Sequence, residues 1–127
     1  MAGCILLIMM GCSNTAPGPV VDNQQLETEL ASGELVMLKF GAKWCGPCRM
    51  VDQELGALAE KQPQLKIIPV DVDTNQGLVR QYKVQGIPNM VLVRNNEILA
   101  RQVGYMSADE LSSWIDAFSA QATPDAS

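Results

Sequence analysis

The chain of 127 residues is 47% hydrophobic, and its 14 acidic and nine basic side chains leave a formal net charge of −5. That length and apolar content suit one domain able to bury its own core, and the acidic balance excludes a basic nucleic-acid footprint or attraction to an anionic membrane surface. Histidine is missing from the whole sequence, which removes imidazole bases and histidine metal ligands from any mechanism.

Residues 1–20, MAGCILLIMMGCSNTAPGPV, show no periodicity. An apolar block from Ile5 to Met10 is followed by Gly11-Cys12 and a Ser/Asn/Thr/Pro/Gly run, the pattern of a leader and a flexible tether. The block is too short to cross a bilayer, which takes roughly 20 apolar residues in a helix. It resembles the lipobox of bacterial lipoproteins, where an apolar stretch and a small residue precede a cysteine that is lipidated and becomes the mature N-terminus. That resemblance implies lipidation of Cys12 and a place in the cell envelope or periplasm, with the membrane touched only through the lipid. Two features depart from it: no Lys or Arg precedes the block, and Met9 and Met10 stand where such signals carry Leu and a small residue. The other reading is a disordered, weakly hydrophobic tail. Cys4 has no assigned role.

From Val21 the periodicity becomes legible. VDNQQLETELASG offers Asp22 as an N-cap, Leu26 and Leu30 one turn apart and Ser32-Gly33 as a stop, predicting a short helix. In ELVMLKF both alternating rows, Val36/Leu38/Phe40 and Leu35/Met37, are apolar, which predicts a central strand buried on both faces. After KFGAKWCGPCRM, the spacing of Val51, Leu55, Leu58 and Ala59 predicts a helix ending at Gln62-Pro63. LKIIPVDVD reads as a strand with a bulge or irregular start at Pro69, and residues 74–82 as a short helix. NMVLV, the Asn95-Asn96 turn and EILARQVG read as a β-hairpin. Ser107 and Glu110 form a capping box in front of a last amphipathic helix carrying Leu111, Trp114, Ile115 and Phe118. The domain is thus expected over residues 21–120, with a disordered tail at 121–127.

Cys45 and Cys48 lie between a strand and a helix, and three uses compete for them. A zinc site needs four ligands, and beyond the leader region the chain has only these two cysteines. A copper site could use two thiolates, but Met37, Met50, Met90 and Met106 have the spacing of core or surface filling. A purely structural disulfide across two residues gains little loop entropy. A reactive pair fits best: at a helix N-terminus, unpaired N–H groups and the dipole lower the pKa of the Cys45 thiol. Pro47 suits the first helical turn and Gly46 allows close approach.

WCGPC after a buried strand, the VDVDTN strand end, YKVQGIPNMVLVRNNEI and Gly104 after the hairpin occur in the order and spacing of the thioredoxin family, which residues 21–120 resemble. The resemblance implies an α/β thioredoxin fold, a central mixed sheet flanked by helices, with Pro88 in cis beside the cysteines. It implies a thiol-disulfide oxidoreductase without cofactor or metal, acting on disulfide-containing proteins, with Cys45 as nucleophile and Cys48 as resolving thiol. Trp44, Gly46, Pro47 and Lys39 would support the site. Trp44, Ile87, Pro88 and Gly104 would meet substrate, the Ile87 backbone pairing with an extended segment of it; core packing is the other use of Trp44. Gly46-Pro47 resembles the reducing members. A tethered protein would be recharged by a membrane electron donor, act as a monomer and bind no nucleic acid. A cytoplasmic-type member of the family and a non-catalytic module on the same fold are the alternatives.

Lys39 departs from the family. Its members carry a buried aspartate at this strand position, six residues before the nucleophile, paired with a lysine from a neighbouring strand. Here the two positions hold Lys39 and Pro69. Lys39 could sit neutral as a base, stay charged and favour thiolates, or pack its stem while the amine reaches water. Lys43 reads as a solvated surface charge, and Asp71 and Asp73 as turn and capping residues.

Overall fold

Six consecutive buried residues, Val36–Gly41, form β1, the strand around which the molecule is built in this computed structural model, which describes residues 23–119. The leader, the Asp22 cap, Cys12 and the 121–127 tail lie outside the described residues. The remaining elements are α1 (Asn23–Leu30), α2 (Gly46–Lys61), β2 (Lys66–Asp71), α3 (Gln76–Gln81), β3 (Asn89–Arg94), β4 (Glu97–Val103) and α4 (Ala108–Ser119). They make the expected mixed sheet, in the order β2-β1-β3-β4, with β1 parallel to β2 and the other pairings antiparallel.

The two apolar rows of β1 found two cores. Val36, Leu38 and Phe40 pack with Val70, Val91 and Val93 against Leu26 and Leu30 of α1 and Leu78 and Tyr82 at α3. Leu35 and Met37 face the other way, with Met90 and Leu92, onto Val51 and Leu58 of α2 and Leu111 and Ile115 of α4. Removing each such Leu or Phe side chain from water is worth about 1.5–3 kcal/mol, so a polar residue in either row is costly. Lys39 continues the Leu35/Met37 row and therefore points toward α2.

The structure corrects the sequence reading at Pro69. The β1–β2 register runs unbroken from Val36↔Lys66 to Gly41↔Asp71, and Pro69 causes no bulge because β2 is an edge strand among the described residues, where its missing donor is tolerated. The irregularity lies instead between Leu92 and Val93, where β3 pairs with β4. Helix α3 is shorter than 74–82, because the Asp71 carboxylate accepts the Asp73 amide at 2.8 Å and turns the chain before Asn75. Asn95 and Asn96 take φ of 52° and 66°, the conformation that a two-residue hairpin turn requires.

The capping box forms as read: Ser107 Oγ accepts the Glu110 amide at 3.2 Å and Glu110 Oε1 accepts the Ser107 amide at 3.0 Å. Helix α2 reinforces this end, since Glu54 Oε1 accepts the Ala108 amide at 2.8 Å. At the C-terminus of α2, Gln62 Nε2 donates to Ser112 Oγ at 2.8 Å and Asp116 Oδ1 at 2.9 Å. Helix α2 is thereby tied to α4 from its middle, at Glu54, and from its C-cap, Gln62. No described helix is long and apolar enough to cross a membrane.

Candidate active site

Strand β1 ends at Gly41, and a tight turn, closed by the Cys45 amide donating to the Ala42 carbonyl at 3.2 Å, delivers the chain to α2. Cys45 is the N-cap of that helix, in extended conformation, and its Sγ accepts the Cys48 amide at 3.2 Å. A sulfur thus occupies the place a Ser or Asp oxygen takes in an ordinary cap, where backbone donors and the helix dipole favour negative charge. Pro47 lies in the first turn, as its missing N–H allows. Cys45 and Cys48 are joined as a disulfide with Cα atoms 5.2 Å apart. Cys48 is fully buried and Cys45 nearly so, the latter at the edge with 7% exposure.

The loop before β3 closes over the pair. The Ile87-Pro88 bond is cis, as the resemblance implied, and Ile87 packs with Ala42 and Val72 against the two cysteines. Gly104, at φ +105°, donates its amide to the Pro88 carbonyl at 2.8 Å, so this glycine supports the loop from β4 in a conformation few other residues adopt. Trp44 is 68% exposed, which removes the core-packing alternative. Its Nε1 donates to Asp73 Oδ2 at 2.9 Å, tying the indole to the turn after β2.

Lys39 does not reach water. Its side chain is 5% exposed and Nζ lies 2.5 Å from Oδ1 of Asp52, whose carboxylate is 51% exposed. The register places Lys39 beside Pro69, so the neighbouring-strand partner is absent as read, but α2 supplies a new one. A cleft of about 230 Å³, lined by Lys39, Gly41, Asp52, Pro69 and Asp71 among others, lies beside this pair. Met37 and Met90 are core residues, and Met50 is half exposed on α2. No group of three or more metal-ligating side chains occurs among the described residues.

Sequence reasoning missed Asp52, Asp73 and Gly41. The signal for Asp52 was present: it stands four residues after Cys48 and so on the same face of α2. Asp73 was read as a turn and capping residue, and nothing local to VDVD announces its bond to the Trp44 indole.

The thioredoxin family profile matches residues 19–117. The chain belongs to the thioredoxin family. It is 38% identical over 92 residues to the thioredoxin of Chlamydia trachomatis serovar D, covering 72% of this chain and 89% of that protein. It is 33% identical over 98 residues to that of Haemophilus influenzae, covering 76% and 92%. Among solved structures it is similar to a point variant of the thioredoxin from Halobacterium salinarum NRC-1, with a TM-score of 0.71, 33% identity and coverage of 78% and 87%. The Fasciola hepatica thioredoxin superposes with a TM-score of 0.67, at 30% identity and coverage of 76% and 90%. As a thioredoxin-type protein the chain is a thiol-disulfide oxidoreductase acting on disulfide-containing proteins. Its redox group is its own cysteine pair, and no cofactor is required.

Proposed function

We propose that this thioredoxin reduces protein disulfides in the bacterial cell envelope, with Cys45 attacking and Cys48 resolving. The burial contrast carries the assignment of roles. Cys45 is the helix cap at the rim and Cys48 the sulfur behind it, so an incoming disulfide meets Cys45 first. The Cys45 thiolate attacks one substrate sulfur, a mixed disulfide forms and the other substrate sulfur leaves as a thiolate. Cys48 then attacks Cys45 Sγ, closing the intramolecular disulfide and releasing the second substrate thiol. The backbone at Ile87 and the face of Trp44 flank this path and suit an extended polypeptide, because main-chain pairing tolerates many sequences. In a Cys48→Ser variant the first step proceeds and the second cannot. Covalent adducts at Cys45, reversed by dithiothreitol, are the expected result; a variant that reacts with no protein disulfide leaves the fold as a binding module.

The reducing direction rests on Gly46-Pro47. Equilibration with glutathione or a reference thioredoxin should give a reduction potential near about −270 mV, and a value near about −120 mV would make the protein an oxidant. The envelope location rests on the apolar block before Gly11-Cys12 and the polar run after it. In this reading residues 1–20 are leader and tether, Cys12 carries the lipid, and a membrane electron donor recharges a monomeric domain, since soluble cytoplasmic reductants do not reach that compartment. Fatty-acid labelling and membrane fractionation of wild type and Cys12→Ala test it. Label and membrane association that disappear with Cys12 support it; an unlabelled protein in the cytosolic fraction leaves the cytoplasmic-type alternative.

A further inference from the structure

Cys48 and Asp52 stand one turn apart on α2, and both face the Lys39 end of β1. A Cβ built on Gly41 would lie 2.8 Å from Lys39 Nζ and 3.3 Å from Cys48 Sγ. The ammonium and the sulfur therefore lie within about 6 Å of each other, the range in which a charge alters the ionisation of its neighbour. The glycine keeps that gap free of side chain.

The two members of the ion pair do not cancel at the sulfur. The ammonium is buried with the cysteine, whereas the carboxylate is half exposed and water screens it. The other charges around the site are Lys43 in the turn, Arg49 on α2, Asp71 at the end of β2 and Asp73 beyond it. Lys43, Arg49 and Asp73 are exposed and Asp71 is only partly buried, and the Asp73 carboxylate holds the Trp44 indole. From β3 the neighbour of Lys39 is Met90, which does not titrate. Lys39 is thus the buried charge closest to Cys48 among the described residues.

We infer that Lys39 is a positioning residue for the resolving step: its ammonium, fixed by Asp52, favours Cys48 as a thiolate while Cys45 is held in the mixed disulfide. The inference rests on the assignment of Cys48 as resolving thiol. The Cys48 proton passes to solvent through the cleft between β2 and α2. The thiolate attacks Cys45 Sγ, the Cys45–Cys48 bond forms, the Cys45–substrate bond breaks, and the substrate sulfur departs with the electron pair and takes a proton from water.

The test loads Cys45 of the full chain with a chromogenic aromatic thiol and follows its release against pH by stopped flow. Lys39→Met should shift the midpoint of release upward by about one pH unit, roughly a tenfold slower release at a fixed pH below the midpoint, and Lys39→Arg should restore most of it. An unchanged midpoint in a folded Lys39→Met overturns the inference, and so does an arginine variant that behaves like the methionine one. Should the methionine variant fail to fold, Asp52→Asn decides, because the amide still accepts a hydrogen bond from Nζ but brings no negative charge. The midpoint then does not rise; a rise makes the carboxylate the working group and overturns the inference. Failure of the wild-type protein to release any thiol removes the dithiol reading along with it, whereas normal wild-type release with an unmoved Lys39→Met midpoint removes only the role of Lys39.

Discussion

Arg101 on β4 donates Nη2 to the Tyr82 carbonyl at 2.6 Å, at the C-terminus of α3, while its Nη1 reaches Asn89 Oδ1 at 3.3 Å. Asn89 is buried and donates Nδ2 to the Gly86 carbonyl at 3.1 Å. One guanidinium therefore fixes the last turn of α3 and, through Asn89, the segment that carries Ile87 and Pro88. Hydrogen bonds to a charged donor contribute about 1.5–3 kcal/mol, and truncation leaves buried acceptors unmet. Arg101→Met should lose about that much in chemical denaturation, and should raise KM for a protein disulfide more than it lowers kcat, because the cysteines themselves are untouched. Equal stability in the variant would show that water replaces the guanidinium at both acceptors.

Gly41 offers the sharpest steric test. A methyl group there would meet Lys39 Nζ at 2.8 Å, Cys48 Cβ at 3.2 Å and Cys48 Sγ at 3.3 Å. The lysine end can swing aside, but Cys48 is held in the first turn of α2. Gly41→Ala should therefore cost about 1–3 kcal/mol, the usual range for overpacking a filled site, measured as a lower midpoint in guanidinium. The oxidised protein should show the larger loss, because the disulfide fixes the sulfur that the methyl group presses. Equal losses in the oxidised and reduced forms would mean that the helix itself yields.

How much of this was legible in the chain depended on whether the signal was local. Val36, Leu38 and Phe40 announce a buried strand by period alone, Ser107 and Glu110 announce a helix start by mutual reach, and Asn95-Asn96 announce a turn by backbone conformation; all three form as read. Pro69 misled because its effect depends on whether the strand is an edge, which is a property of sheet order and not of the strand. Lys39 was visibly out of place, yet its partner could not be read from the strand, since Asp52 comes from a helix that crosses it. The links from Trp44 to Asp73 and from Arg101 to Tyr82 join segments with no shared pattern, and only the fold brings them together.

The Trp44–Asp73 link predicts a change in recognition with little change in stability. The bond is exposed, so Asp73→Ala should cost no more than about 0.5–1.5 kcal/mol. The indole, at 68% exposure, would then be free to leave the position beside Cys45. Insulin reduction should fall several-fold through KM, while the reaction of Cys45 with a small disulfide such as cystamine stays near the wild-type rate. If both substrates slowed equally, Asp73 would be acting on the thiol and not on the tryptophan.

Tyr82 gives the stability a defined dependence on alkaline pH. The residue is buried, its ring centroid 5.9 Å from that of Phe40, and burial raises the phenol above its ordinary value of 10.0. In the folded protein the phenol keeps its proton to higher pH than in the unfolded chain. Its contribution is therefore fully present below about pH 10 and is lost as pH rises through the folded value. Lys61, raised by its hydrogen bond to Asp109, and Tyr105, raised by burial and then by Glu54, act with the same sign, so the wild-type curve alone does not isolate Tyr82. The difference between wild type and Tyr82→Phe does. That difference should be flat from neutral pH to near 10 and should shift in favour of the phenylalanine variant above it, as followed by urea denaturation at each pH. Parallel curves across the alkaline range would mean that the phenolate reaches water without unfolding, through a local opening of the Tyr82 end of α3.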